Sequence, residues 1–300
     1  MEKFFSQVAK ENFILNLLLL GRPWNGLIIG LFSIIGFLYF SPFNLNLILS
    51  LFFVFFLQYF GGTILNDLAD YSADKINMPY RPLEKGLVTK KQALILAIIS
   101  YSSSFLIAFF TSQYLFVSSL VFFFFSIIYS VKPFRLVSRG FFGNFTLGLV
   151  TVFIPSISGA IIGLSSLLVP EWFLISFFAF SLVFSFLSIA KDFKDIKGDQ
   201  ESNKLTFTIK HGVKKSILVM LFGALIFSVI FIYYNLKLGV FFIFSSFVFL
   251  ALVVYFSIGL MNVGINTNTQ RYDGFFTNLR VLIFFYSLVI LIVSYLKFIQ

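Results

Sequence analysis

Long apolar runs separated by short polar breaks dominate the chain. Runs of roughly twenty residues recur at about 23–41, 43–66, 91–111, 113–131, 142–166, 171–190, 216–235, 238–262 and 279–298. As helices rising about 1.5 Å per residue, each is long enough to cross roughly 30 Å of hydrocarbon. Barrel strands would be shorter and would alternate in polarity. The pattern therefore predicts an all-α integral membrane protein: nine transmembrane helices in one bundle, with residues 1–300 forming a single domain. Residues 12–22 are expected to form an interfacial helix leading into the first span. No cleavable signal peptide is expected, because the segment holding Glu2, Lys3, Lys10 and Glu11 runs into that span without a small-residue cleavage pattern.

Composition supports the membrane reading. The chain is 59% hydrophobic and 11% charged, against about 25% charged in an ordinary soluble domain. It contains no cysteine, which excludes disulfides, thiolate metal sites and cysteine nucleophiles. The single histidine, His211, excludes multi-histidine metal sites and argues against a Ser-His-Asp hydrolase. His211 itself is expected to be a loop residue with no catalytic role. Trp24 and Trp172 fit interfacial anchoring, and Gly148, Gly159 and Gly163 fit close helix packing.

The net charge of +10 changes meaning once it is placed along the chain. Twenty of the twenty-two Lys and Arg fall in the N-terminal segment and the breaks after the even-numbered runs; Lys237 and Lys297 fall on the other side. Cytoplasmic loops carry such an excess. The N-terminus and these breaks are therefore expected in the cytoplasm and the C-terminus opposite. The basic residues need no nucleic-acid partner. The lipid bilayer is the partner they imply.

The acidic residues carry more information. Eight of the twelve occupy two windows: Asp67, Asp70, Asp74 and Glu84, then Asp192, Asp195, Asp199 and Glu201. Both windows follow an even-numbered run, and both contain D-x-x-D-x-x-x-D. On one helix these offsets return to nearly one face, which predicts a carboxylate stripe roughly 10 Å long in each window. The shared spacing hints at an internal repeat of four spans. Like charges repel, so clustered acids near a membrane point to cations or a functional cavity. Carboxylates without Cys or clustered His select hard cations, Mg²⁺ above all, and Mg²⁺ commonly also binds substrate phosphates. Two stripes around a cytoplasm-facing polar cavity thus suggest Mg²⁺ bridging a diphosphate. The plainer alternative is a pair of solvated helix caps whose Asp pair with Lys75, Lys191, Lys194 and Lys197.

At these residues the chain resembles the UbiA superfamily of intramembrane prenyltransferases. The segment NDLADYSADKINMPYRPLEKG (66–86) is similar to that family's N-D-x-x-D-x-x-x-D motif with trailing R-P-L and Gly. The segment KDFKDIKGDQESNKLTF (191–207) is similar to its D-x-x-D-x-x-G-D motif. The resemblance implies Mg²⁺ as cofactor, with Asn66, Asp70, Asp74, Asp192, Asp195 and Asp199 as metal or diphosphate ligands. It implies that Asp67 either joins them or orients a neighbour, and that Arg81 contacts the diphosphate.

The segment YSVKPFRLVSRGFFGNFTLG (129–148) resembles the family's Tyr-containing basic segment, which gives Tyr129 and Lys132 catalytic roles and Arg135 a substrate-binding one. Lys132 stands three residues after Tyr129, where the family commonly spaces them by four. The wording of this segment is closer to the chlorophyll synthase and archaeal ether-lipid branches than to the hydroxybenzoate branch. Arg22 and Asn25, in GRPWNG, resemble a polar segment of the same family. The residues Arg271, Tyr272 and Asp273 read as a solvated loop, with a loop over the cavity as the alternative.

The implied activity is Mg²⁺-dependent transfer of a polyprenyl group from a polyprenyl diphosphate to a hydrophobic or amphiphilic acceptor. It would pass through a carbocation-like carbon and release diphosphate. The acceptor stays open: a quinone precursor, a chlorin, a glycerol phosphate lipid or a sugar phosphate. The competing readings are a terpene cyclase on the same scaffold and a cation transporter. Acids clustered at one membrane face argue against transport, whose sites lie near mid-depth.

Overall fold

The computed structural model describes residues 12–235, with single helical positions at 251, 254, 255, 259, 281, 283, 286 and 288. Helix α1 spans Phe13–Leu20 and α2 spans Pro23–Leu38; the two are bent by 49°. Arg22 forms the bend, in the left-handed region at φ 48, and Pro23 opens α2. Proline suits a first helical turn because its missing N–H would have no partner there. This places the expected 12–22 helix and its break from the first span.

Helix α3 covers Leu45–Ala69, α4 Tyr71–Asn77, α5 Lys90–Thr111 and α6 Gln113–Ser130. Side chains mark the starts. Asn44 accepts from the Leu47 N–H at 3.2 Å, and Thr89 with Gln92 forms a capping box. Helix α7 covers Phe141–Gly148 and continues through a π turn at Leu149–Phe153 into α8, Ile154–Leu164. Pro155 follows the π turn, which absorbs the backbone misfit that proline brings to a helix interior. Helix α9 is Glu171–Leu187, extended by a 3₁₀ stretch over Ser188–Phe193. Short helices α10 (Ile196–Glu201) and α11 (Phe207–His211) lead to α12, Val213–Asn235.

Among the described residues, six helices are long and apolar enough to cross a membrane, and the bent α1–α2 pair makes a seventh. These match the first seven predicted spans. The runs at 238–262 and 279–298, and the segment 271–273, lie almost wholly outside the described residues.

Helix α3 packs on α2, α5 and α6; α2 packs on α8, and α9 on α12. Small residues allow the closest crossing. A Cβ on Gly36 would lie 1.9 Å from the Ser156 carbonyl, and one on Gly159 would lie 1.9 Å from the Ser33 carbonyl. Gly148 and Gly163 meet neighbouring backbone in the same way, as expected for packing glycines. Trp172 packs its ring against Tyr39, Phe40 and Phe173, while Trp24 is half exposed.

The expected carboxylate stripes are corrected in one respect. Neither acid trio lies on a single helix. Helix α3 ends at Asp70, whose N–H bonds the Asn66 carbonyl at 2.9 Å, and α4 starts there, with the Asp74 N–H on the Asp70 carbonyl at 2.9 Å. In the second window Asp192 sits in the 3₁₀ stretch and Asp195 opens α10. Asp70 at φ −98, ψ 9 and Asp195 at φ −101, ψ 4 adopt the same hinge conformation. Asp is a poor helix-interior residue that prefers helix starts, so both helices break at the middle acid. The same break in both windows is what an internal repeat predicts.

Candidate functional site

The two acidic windows meet at one end of the bundle. Helix α4 packs on α10. The loops around them are drawn in by a two-residue parallel bridge, β1 (Arg139–Gly140) with β2 (Leu205–Thr206), in register Arg139 to Leu205 and Gly140 to Thr206. Gly140 adopts φ 63, ψ −130, a conformation that strongly favours glycine.

A cavity of ≈ 170 Å³ opens between the windows. Its head is polar, lined by Asn66, Asp70, Asp74, Asp195, Tyr129 and a set of cations: Arg22, Arg81, Lys191, Lys194 and Lys204. Its floor is apolar, with Ile28, Ile29, Phe122, Leu147, Val150 and Phe184 among the lining residues. Asn25 is held in the wall by donating from Nδ2 to the Tyr59 hydroxyl at 2.9 Å. A charged head over an apolar floor fits an amphiphile with a strongly anionic group.

Acids and bases pair across the loops. Asp70 is the hub: Lys204 donates to Oδ2 at 2.8 Å and Arg135 donates to Oδ1 at 2.6 Å. Asp70 has no side-chain capping bond to α4 because its carboxylate serves these cations instead. Arg81 donates to Asp74 at 2.6 Å and to Asp67 at 3.2 Å, and Arg22 also pairs with Asp67. Lys191 pairs with Asp192, and Lys204 lies 3.7 Å from Asp199. Lys191 belongs to the solvated-cap alternative, and its pair with Asp192 is of the kind that alternative expects. The pairings of Asp70 and Asp74 come from residues that alternative did not invoke.

Burial works to raise the Asp70 carboxyl pKa, but Lys204 and Arg135 outweigh it and hold the group below its ordinary range. Lys204 is raised by Asp70 and Asp199 against the cost of its own burial. Asp199 is pushed up to about 7, first by burial and then by the charges of Asp195 and Asp192, with Lys204 opposing. Asp195 is raised chiefly by burial. Glu84 is pushed up to about 7 by burial and by Asp67. Burial thus outweighs the nearby cations at Asp195 and Asp199, whereas at Asp70 the cations outweigh burial.

These oxygens bear on the implied metal. Asp195 Oδ1 and Asp199 Oδ2 are buried and have no hydrogen-bond partner. Unpaired buried carboxylate oxygens are costly, and a hard cation satisfies them. The available donors, carboxylates and the Asn66 amide, are all oxygen, which suits Mg²⁺. As they stand, the described residues include no group of three acidic or His side chains arranged to hold an ion. The residue types fit the metal, and several of these acids are ion-paired with Lys or Arg.

Of the sequence-predicted residues, Asn66, Asp70, Asp74, Asp195, Tyr129, Arg22, Asn25 and Arg81 line the cavity. Arg135 reaches it through Asp70, and Asp192 and Asp199 stand behind Lys191 and Lys204. Asp67 lies beside the cavity, orienting Arg22 and Arg81. Lys132 is exposed and lies outside the cavity wall. Three residues further on, Arg135 adopts φ 39 and donates to Asp70. Lys204, Tyr59 and Asn77 were missed. For Lys204 a signal was present: it follows Asp199 by five residues, as Arg81 follows Asp74 by seven.

The model of the UbiA prenyltransferase family matches residues 26–280. Digeranylgeranylglyceryl phosphate synthase of Pyrococcus furiosus is 32% identical over 228 residues, covering 73% of this chain and 76% of the relative. A solved structure of digeranylgeranylglyceryl phosphate synthase superposes with a TM-score of 0.67 at 24% identity, covering 94% of this chain and 99% of the other. A UbiA homologue from Archaeoglobus fulgidus bound to GPP and Mg²⁺ superposes with a TM-score of 0.69 at 15% identity, covering 92% and 99%. With both acidic motifs meeting at one cavity and the family model spanning most of its length, this multi-pass integral membrane protein belongs to the UbiA prenyltransferase family and is a prenyltransferase.

Proposed function

We propose that the protein transfers a polyprenyl group from a polyprenyl diphosphate to the hydroxyl of a glycerol phosphate lipid, releasing diphosphate. One observation carries the donor half: the cavity joins an apolar floor to a head where Asp70 is held by cations from two different loops. The apolar floor takes the start of the prenyl chain. Arg22, Arg81, Lys191, Lys194 and Lys204 offer charge-assisted hydrogen bonds to diphosphate oxygens. The A. fulgidus homologue bound to GPP and Mg²⁺ supports the same donor class.

Asn66, Asp70, Asp74, Asp192, Asp195 and Asp199 would hold Mg²⁺. Bound there, Mg²⁺ supplies positive charge that offsets the diphosphate and helps it leave. The chain's own cations act in the same direction by stabilising charge that grows on the leaving diphosphate. The allylic C–O bond breaks with its electron pair going to diphosphate. The acceptor oxygen forms the new C–O bond and gives up its proton to an oxygen of the released diphosphate. Tyr129 and the Asn25–Tyr59 pair line the same cavity. Phe122 and Phe184 present aromatic walls suited to cationic carbon, and the apolar floor keeps out the water that would quench it.

The acceptor reading rests on the relatives, named digeranylgeranylglyceryl phosphate synthase at 32% identity. The Lys and Arg asymmetry supports a cytoplasmic N-terminus and a cytoplasm-facing cavity, with residues 1–300 as one domain. The test is incubation of the purified protein with Mg²⁺, labelled geranylgeranyl diphosphate and one acceptor at a time. A glycerol phosphate lipid acceptor should yield a doubly prenylated ether. Product only with an aromatic or chlorin acceptor would overturn the acceptor assignment. A cyclised terpene formed without acceptor would overturn transfer.

A further inference from the structure

The two windows touch at a joint that neither motif assigns. Asn77, the last residue of α4, spans it with one side chain. Its Nδ2 donates to the Asp195 carbonyl at 2.9 Å and to Asp199 Oδ1 at 3.3 Å. Its Oδ1 accepts from the Gly198 N–H at 2.8 Å. The amide thus grips the backbone at Asp195 and at Gly198 and one oxygen of Asp199, across more than a hundred residues of chain.

A second observation shows how close the contact is. A Cβ on Gly198 would lie 2.6 Å from the Ala73 carbonyl and 2.6 Å from the Asn77 side-chain amide. Helices α4 and α10 can approach this far only because position 198 has no side chain. Both helices begin at the hinge acids, Asp70 and Asp195. Their mutual approach therefore sets the spacing between the carboxylates of the first window and those of the second.

We infer that Asn77, seated against Gly198, is a positioning residue that fixes the separation of the two carboxylate sets and so sets the affinity for the divalent cation and the donor diphosphate. This rests on the proposed use of both windows. An amide suits the task better than a carboxylate, because it both donates to Asp199 and accepts from Gly198 without adding charge. Residues that orient metal ligands typically change metal affinity by about 10- to 100-fold when removed.

The test measures Mn²⁺ binding by electron paramagnetic resonance on the purified full chain in lipid nanodiscs, without substrate, alongside thermal unfolding. The Asn77→Ala variant should bind Mn²⁺ about 10- to 100-fold more weakly. In turnover it should raise the half-saturating Mg²⁺ and the donor KM, leave the acceptor KM in place, and recover most of kcat at saturating metal. Gly198→Ala, whose added Cβ would press on both the Ala73 carbonyl and the Asn77 amide and so force the helices apart, should give the same split. Lys75→Ala, an exposed change on α4, should leave metal affinity unchanged. Folded Asn77→Ala protein with wild-type Mn²⁺ affinity would overturn the inference, as would a uniform loss of kcat with unchanged metal dependence. Wild-type protein that binds no Mn²⁺ would sink the underlying metal reading instead, and the inference with it.

Discussion

Lys204 Nζ lies 2.8 Å from Asp70 Oδ2, joining the loop that follows α10 to the end of α3 across 134 residues. Lys204 and Asp70 are both buried, at 8% and 2% exposure. Removing one member of a buried pair strands the other, at a cost of about 3–5 kcal/mol. Lys204→Met should therefore lower the unfolding midpoint and raise the donor KM. The double variant Lys204→Met with Asp70→Asn should regain part of the stability but none of the activity. Additive stability losses in a double-mutant cycle would contradict direct coupling.

Arg135 and Lys132 are separated by structure rather than by residue type. Arg135 donates to Asp70 at 2.6 Å, whereas Lys132 is exposed. Arg135→Ala should cut kcat/KM by about 100-fold, in line with loss of a charged donor at a developing anion. Lys132→Ala should stay within about threefold, as an exposed charge contributes little. The reverse ranking in steady-state kinetics would show that Lys132, not Arg135, serves the site.

Glu84 gives a pH signature. Both its carboxylate oxygens are buried without a hydrogen-bond partner, and burial with the charge of Asp67 pushes its pKa up from 4.5 to about 7. The folded state therefore holds this proton more tightly than the unfolded state. Its stabilising contribution is present below pH 4.5 and is lost as pH rises to about 7. Glu84→Gln should raise the unfolding midpoint relative to wild type at pH 8 and leave it little changed at pH 4.5. An equal shift at both pH values would contradict the assignment.

The α2–α8 crossing depends on absent side chains. A Cβ at Gly159 would sit 1.9 Å from the Ser33 carbonyl. The clash is with backbone, so relief requires moving a helix. Gly159→Ala should destabilise the fold by about 1–3 kcal/mol or more, the usual cost of overpacking. An unchanged unfolding midpoint would show that the crossing is looser than described.

Much of this was legible in the residues. Apolar run length placed the first seven spans, because hydrocarbon thickness constrains a helix regardless of its neighbours. Shared spacing singled out Asp67, Asp70 and Asp74 with Asp192, Asp195 and Asp199, the acids of the two windows that meet at one end of the bundle. Periodicity could not show that both helices break at the middle acid, since an unbroken helix would also bring those offsets to one face. Lys204, Tyr59 and Asn77 were hidden because their roles depend on loops that meet only in three dimensions. The β1–β2 bridge that draws two of those loops together is two residues long on each side, too short for any alternation to register. Residue type and distance from Tyr129 could not rank Lys132, expected to be catalytic, against Arg135, expected to bind substrate. In the fold Arg135, at φ 39, donates to Asp70, and Lys132 is exposed.

The most direct measurement is diphosphate release from labelled geranylgeranyl diphosphate by purified protein in nanodiscs, with a glycerol phosphate lipid acceptor and titrated Mg²⁺. Wild type should release diphosphate and form the ether only when Mg²⁺ is present, and Asp70→Ala and Asp192→Ala should each lose about 100-fold or more. Full activity in both variants would contradict the assignment of the two acidic windows as the catalytic centre.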